Sequence, residues 1–345
     1  MIVKENFDLG PCNTFGMKVS CARFIEYDSV GELSSIDMEA LPQPVLHMGA
    51  GSNLLFCADF PGTVLHSGIK FIRIAGEEGG KVLVEAGAGV TFDDFCSWAA
   101  SEGLWGPENL SGIPGEVGAG AVQNVGAYGV EARDIVKSVK LYDLREKRIT
   151  VFSNADCRYA YRDSVFKSSP AKGRYAVLSV VFTLTREYSP RLDYGNVRAA
   201  LPPKESYHPS EIRDTIIGIR SSKLPEPAVM GSAGSFFKNP VVPVSVFASV
   251  EAVAKAERGP EYRVPHFDAG EGMVKIPAAW LIDSCSLKGE SRGGAAVYEK
   301  QPLVIVNRSG DATPQDVISL ENHIIDRVRS KFGIGLHPEV EHIKP

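Results

Sequence analysis

Apolar and polar residues alternate over short runs in the first half of the chain, and in several longer runs the apolar ones recur at helical spacing. Lys81-Val82-Leu83-Val84-Glu85-Ala86 reads as a strand stopped by Gly87-Ala88-Gly89. A hairpin is predicted from Ser138–Asp143 and Lys147–Phe152 across a short charged turn. Tyr175–Leu184 is apolar at nearly every position, as expected of a strand buried on both faces. Thr91 and Asp94 have capping-box spacing, and Phe92, Phe95, Trp98 and Ala99 then share one helix face up to Gly103. Ser210 is the expected cap of a helix lined by Ile212, Ile216 and Ile219 and ended by Pro225. The clearest helix signal is the last one: Thr313 as N-cap, Pro314 at N1, Asp316 at N3, the stripe Val317, Leu320, Ile324 and Val328, and Gly333 beyond the end. Pro202-Pro203 can extend neither a helix nor a central strand, and marks a junction between lobes. This mixture of strands and helices predicts an α+β fold.

Composition narrows the function classes. The 345 residues suit two or three packed domains, and 44% hydrophobic residues supply a large core. Thirty-seven basic and 42 acidic residues give a net charge of −5 without any basic block, which argues against nucleic-acid binding. No apolar run approaches the roughly 18–20 residues of a membrane span. Met1-Ile2-Val3-Lys4-Glu5-Asn6 lacks the pattern of a signal peptide, so a cytoplasmic location is expected. Cys12, Cys21, Cys57, Cys96, Cys157 and Cys285 occur singly and read as reduced thiols. The seven histidines are equally dispersed, and no metal site is expected.

Two segments carry unusual glycine placement: Gly49-Ala50-Gly51-Ser52-Asn53-Leu54-Leu55-Phe56, and Ile113 to Gly129 with five glycines. Glycines let backbone N–H groups approach an anion closely, and small neighbours leave room for a pyrophosphate. Neither Gly49-x-Gly51 nor Gly87-x-Gly89 continues to the third glycine of a dinucleotide fingerprint, and no GxxxxGK[ST] loop is present. Tight turns and an anion cradle of another type both remain open on spacing alone.

Together with Asn13-Thr14-Phe15-Gly16, Ile113-Pro114-Gly115, Gln123-Asn124-Val125-Gly126-Ala127-Tyr128-Gly129, Tyr161-Arg162-Asp163-Ser164 and Ala233-Gly234-Ser235-Phe236-Phe237-Lys238-Asn239-Pro240, these segments resemble the UDP-N-acetylenolpyruvoylglucosamine reductase family. The resemblance runs from about residue 12 to Ile343 with the motifs in order. It implies non-covalent FAD held between two lobes of the vanillyl-alcohol-oxidase type, residues 1–66 and 67–205, and a substrate-binding domain over 206–345 that closes on a UDP-sugar. It implies NADPH as co-substrate, a role in peptidoglycan precursor synthesis, and the subclass with a tyrosine loop. A monomer is expected. The cofactor residues it implies are Gly49, Ala50, Gly51, Ser52, Asn53, Leu54, Ile113, Pro114, Gly115, Gly118, Ala119, Gly120 and Asn124. At Ala119-Gly120 some members carry hydroxyl residues, so only backbone contacts are expected here. A flavin oxidase of an alcohol or sugar, and a sugar-nucleotide-binding regulator without flavin, are the competing readings.

Reduction of an enol ether conjugated to a carboxylate needs a hydride at the β carbon, stabilisation of the enolate, and a proton at the α carbon. No side chain gives hydride, so a cofactor must. Read alone, Arg162 is sooner a structural ion-pair partner of Asp163 or another acid, and Ser235 sooner a turn residue. By resemblance Arg162 offers its fork to the enolate, Ser235 is the proton donor, with Lys238 as a possible helper, and Glu339 acts with Arg162. Glu341 would share a strand face with Glu339, and only the resemblance chooses between them. Tyr128, Tyr194, Arg220, Lys223, Lys238 and Asn239 are the expected substrate contacts.

Overall fold

A computed structural model describes all residues, Met1–Pro345. The chain separates into two compact units: Met1–Phe7, Ser20–Gly51 and Phe60–Ser222 form the first, and Asp8–Val19, Ser52–Asp59 and Lys223–Pro345 the second.

The first unit is built on two sheets. One has four strands in the order Ile2–Asp8, Ser20–Tyr27, Phe60–Ser67, Val45–Met48. Phe60–Ser67 pairs in parallel with both of its neighbours, so that Glu26 and Met48 each stand opposite His66. The other is antiparallel, in the order Arg148–Ser153, Val136–Asp143, Tyr175–Leu184, Lys81–Gly87, Ile72–Glu78. Tyr175–Leu184 lies between two neighbours and is buried along nearly its whole length, as its continuous apolar run requires. The hairpin closes with Asp143 opposite Arg148. The helix Phe92–Ser101 packs on this sheet, its Phe95 ring 4.1 Å from that of Phe182. Thr91 Oγ1 accepts from the Asp94 N–H, so the cap falls where the spacing put it.

Two details differ from the sequence reading. The helix expected to start at Ser210 runs Pro209–Lys223, because Pro209 takes the first helical position, where no N–H is needed; the Ser210 hydroxyl bonds His208 Nδ1 instead of capping. Residues 206–222, read as the start of the last domain, pack within the first unit. Arg213 forks onto the Asp93 carboxylate at 2.5 and 2.8 Å and fixes this helix to the one that begins at Phe92.

The second unit has a sheet in the order Gly231–Ser235, Val304–Asn307, Ala295–Val297, Ser291–Arg292. The helix Pro314–Phe332 buries Val317, Leu320, Ile324 and Val328, each contributing roughly 1.5–3 kcal/mol by burial. Its capping box joins Thr313 and Asp316, and Gly333 ends it at φ +69°. A two-stranded parallel ribbon pairs Leu54–Phe56 with Glu341–Ile343, His342 standing opposite Leu55. No disulfide joins any of the six cysteines. No helix is long and apolar enough to cross a membrane.

Candidate active site

In the first unit the two glycine-rich segments meet. A Cβ on Gly49 would stand 3.0 Å from Glu116 Oε2 and 3.1 Å from Ala119 Cβ, so any side chain there would wedge them apart. Gly51 at φ +61° and Gly115 at φ +121° hold conformations that side chains disfavour. Gly118 and Gly120 are buried in the short helix Val117–Val122, where their bareness lets it lie on Ala88 and Phe92. Their first role is therefore packing. Ile113 packs on the core and Pro114 is exposed ahead of the helix. The N–H groups of Ala50 and Gly51 have no acceptor in the chain. Unpaired backbone N–H groups in a glycine-rich turn fit the pyrophosphate of FAD.

Beneath this surface lies a polar cluster that no sequence motif signals. His66 Nδ1 meets Glu26 Oε2 at 2.8 Å and Nε2 meets Glu116 Oε1 at 2.9 Å. Burial alone would lower the His66 pKa, but the hydrogen bonds and charges of Glu116 and then Glu26 outweigh it and raise the pKa. His47 bonds the Tyr27 hydroxyl at 2.6 Å, and burial followed by the charge of His66 pushes it down to about 4. Glu116 stands inside the second glycine-rich segment, which was the one available hint; His66, fifty positions away, gave none.

Arg162 is held by that same segment. It has φ +55° in a turn where Ala160 and Asp163 pair. Its guanidinium donates to Gly126 O at 2.6 Å and Asn124 O at 3.3 Å, with Cζ 5.6 Å from the Tyr161 ring centre. A Cβ on Gly126 would stand 3.0 Å from Arg162 Nη1, so glycine is what admits the guanidinium. Asn124 is fully buried and braces this turn: Nδ2 donates to Ala160 O at 2.9 Å and Glu131 Oε2 at 3.0 Å, and Oδ1 accepts from Arg133 N. Lys167 Nζ donates to Arg162 O at 3.1 Å.

Tyr128, Tyr194 and Arg220 also gather in the first unit. Asn109, fully buried and unforeseen, donates to Tyr128 O and to Arg191 O, both at 2.8 Å, and so ties their loops. A Cβ on Gly195 would lie 3.0 Å from Tyr128 Cδ1, and one on Gly129 would lie 3.2 Å from Tyr194 Cβ. The Tyr194 side chain remains about half exposed at 48%. Arg220 Nε donates to Gly112 O at 3.1 Å. Burial pulls its pKa down, opposed by Tyr128 and Asp93, and burial raises that of Tyr128. A half-buried guanidinium near a phenol, with no carboxylate bonded to it, suits an anion.

The remaining candidates belong to the second unit. The strand Gly231–Ser235 slips register against Val304–Asn307 between Ser232 and Ser235, with Gly234 at φ +72°, and this bulge leaves Ser235 exposed. Phe236 and Phe237 behind it are buried. Glu339 N donates to Phe236 O at 2.8 Å and Lys238 N to His337 O at 2.9 Å, so Ser235, Lys238 and Glu339 ride on two paired stretches of backbone. Asn53 Nδ2 donates to Glu339 O at 3.2 Å and Glu341 N to Asn53 O at 3.0 Å, which makes Asn53 a tether of the glutamate's backbone. Leu54 faces Glu341 in the adjoining register. His342 Nε2 meets the buried Glu321 at 2.7 Å, and this bond raises its pKa against the effect of burial. Asn239 Oδ1 accepts from Ala278 N, at the start of the helix Ala278–Ser284. Lys223 ends its helix in solvent.

Comparison with known proteins adds the following. Residues 226–343 match the family described as UDP-N-acetylenolpyruvoylglucosamine reductase, C-terminal domain, and residues 23–151 match an FAD binding domain. A UDP-N-acetylenolpyruvoylglucosamine reductase of Bacteroides fragilis is 44% identical over 343 residues, 99% of this chain and 100% of that protein. One from Neisseria meningitidis serogroup A is 43% identical over 344 residues, 98% of this chain and 96% of its own. The crystal structure of UDP-N-acetylenolpyruvylglucosamine reductase from Thermus caldophilus superposes with a TM-score of 0.67 at 22% identity, covering 99% of both chains.

Proposed function

The chain belongs to the UDP-N-acetylenolpyruvoylglucosamine reductase family, and from that premise we propose that Arg162, Ser235 and Glu339 carry its reaction. The protein is an α+β flavoenzyme with FAD-binding lobes of the vanillyl-alcohol-oxidase type. It reduces the enolpyruvyl group of UDP-N-acetylglucosamine enolpyruvate to UDP-N-acetylmuramate, a peptidoglycan precursor, with NADPH as co-substrate. When bound, FAD supplies the hydride.

The other two needs fall to side chains. Arg162, with its backbone turn braced from both ends, offers charge and a planar fork to the substrate carboxylate as the enolate forms. Glu339 acts with it. Ser235 delivers the proton to the α carbon: it stands exposed at a bulge, backed by the buried Phe236 and Phe237. The observation that carries this reading is the bond from Glu339 N to Phe236 O, which holds the glutamate beside the serine's strand. Tyr128, Tyr194, Arg220, Lys223, Lys238 and Asn239 bind the UDP-sugar. Gly49–Leu54, Ile113–Gly115, Gly118–Gly120 and Asn124 shape the cofactor's surroundings. We place the enzyme in the cytoplasm as a monomer.

Stopped-flow measurement of each half-reaction tests the assignment. NADPH should bleach the flavin of Ser235→Ala at close to the normal rate, while reoxidation by the enolpyruvyl substrate should fall about 10²–10⁴-fold. Ser235→Cys should recover part of that loss, since a thiol is the better acid. Normal reoxidation of the alanine variant would remove Ser235 from the reaction.

A further inference from the structure

Glu116 is an odd residue to find inside a segment read as an anion cradle. It is 8% exposed, and its Oε2 lies 3.0 Å from the position a Gly49 Cβ would take. It precedes the helix Val117–Val122 as its N-cap residue, yet its carboxylate makes no capping bond there and is turned to His66. A buried carboxylate on the flank of a pyrophosphate site repels the ligand unless something cancels its charge. His66 is placed to do so. Its two ring nitrogens are taken by Glu116 and Glu26, which hold the imidazole between two carboxylates and favour its cationic form.

We propose that His66 is a positioning residue for FAD: as a cation it cancels the charge of Glu116 and holds that carboxylate by its other oxygen, so that the cofactor's pyrophosphate can settle on the glycine-rich surface. This rests on the reading of those segments as the FAD cradle. The charged and titratable groups around His66 are few. Glu26 reaches it from the strand Ser20–Tyr27 and Glu116 from the start of the short helix; His47 on the strand Val45–Met48 stands near it and bonds Tyr27 of the Ser20–Tyr27 strand. His47 is kept neutral, so the cluster carries one net negative charge with His66 protonated and two without.

The consequence is a cofactor affinity that depends on pH. The His66 pKa is raised above its ordinary 6.5, so the cation is present at low pH and lost as pH rises through that raised value. FAD should therefore bind more weakly in base, by at least about tenfold, close to what one nearby unit charge is worth even when water screens it well.

The test measures FAD release from full-length holoenzyme on dilution, followed by recovery of free-flavin fluorescence, at about pH 6 and about pH 9. His66→Gln keeps a hydrogen-bonding group without the charge; it should bind FAD about tenfold more weakly than the parent at the lower pH and equal it at the higher one. Glu116→Gln should do the opposite, binding about tenfold more tightly than the parent at the higher pH. A merely structural pair would weaken binding in both variants. Loss of affinity in Glu116→Gln, or a parent affinity that is flat between the two pH values, overturns the proposal. If His66→Gln fails to fold, the Glu116→Gln arm decides. A parent protein that holds no FAD at either pH would instead refute the cradle itself.

Discussion

Gly126→Ala is a one-carbon change whose effect can be worked out from the surroundings of Arg162. The added Cβ would lie 2.8 Å from Glu131 Cγ, 3.0 Å from Arg162 Nη1 and 3.0 Å from Val130 O. The carbonyl belongs to the backbone and cannot yield, so the side chains must. Glu131 also accepts from Asn124 and Arg133, which restrains it, and the guanidinium is left to move. It would lengthen its 2.6 Å bond to Gly126 O, the shorter of its two bonds to this segment. Overpacking of this kind costs about 1–3 kcal/mol of stability. A guanidinium displaced by close to an ångström costs about 10²-fold when its charge is needed in the transition state. The two half-reactions again separate the causes. Bleaching by NADPH should stay within about threefold of normal, and substrate-driven reoxidation should slow about 10²-fold. Normal reoxidation would show that the Arg162 position is not critical, and equal slowing of both steps would indicate general damage to the cofactor unit.

Tyr194 packs against Gly129 while remaining about half exposed; Tyr194→Phe should weaken substrate binding about tenfold through one lost hydrogen bond, with NADPH bleaching unchanged, and loss in both half-reactions would count against its role. His47, neutral in the fold with its pKa near 4 against an ordinary 6.5, binds fewer protons folded than unfolded between those values. Stability should therefore drop by about 3 kcal/mol as pH falls from about 6.5 to about 4, as read by urea unfolding, and His47→Gln should flatten that slope. An unchanged slope would mean that other groups govern acid unfolding.

Local signals are legible where the physics is local. The Thr313 cap, its proline and the terminal glycine all act within one helix, and the helix starts and ends on them. The Tyr175–Leu184 run is central because its apolar side chains on both faces need neighbours to cover them. Pairing across the chain left no such trace. Ser52–Asp59 joins the second unit through a ribbon whose partner comes some 280 residues later, and three-residue strands have no period to detect. Glycine was ambiguous in the same way: at 118 and 120 it serves helix packing, at 126 it admits an arginine, and one letter stands for both. The motifs that brought Ser235, Lys238 and Glu339 into view were recognised by resemblance. That they share a pair of bonded backbone stretches became visible only in the folded chain.

The ribbon of Leu54–Phe56 and Glu341–Ile343 also sets a timetable for biosynthesis. Leu55 and Phe56 are fully buried in the finished unit, yet they leave the ribosome long before the strand that pairs with them has been translated. At roughly 5–20 residues per second the delay is on the order of tens of seconds. During that interval a short apolar strand has an open edge, the kind of surface that chaperones bind and that neighbouring nascent chains can capture. The backbone of Glu339 is pinned by Asn53 only when that wait ends, so the glutamate proposed to act on the enolate is among the last residues of the molecule to be fixed.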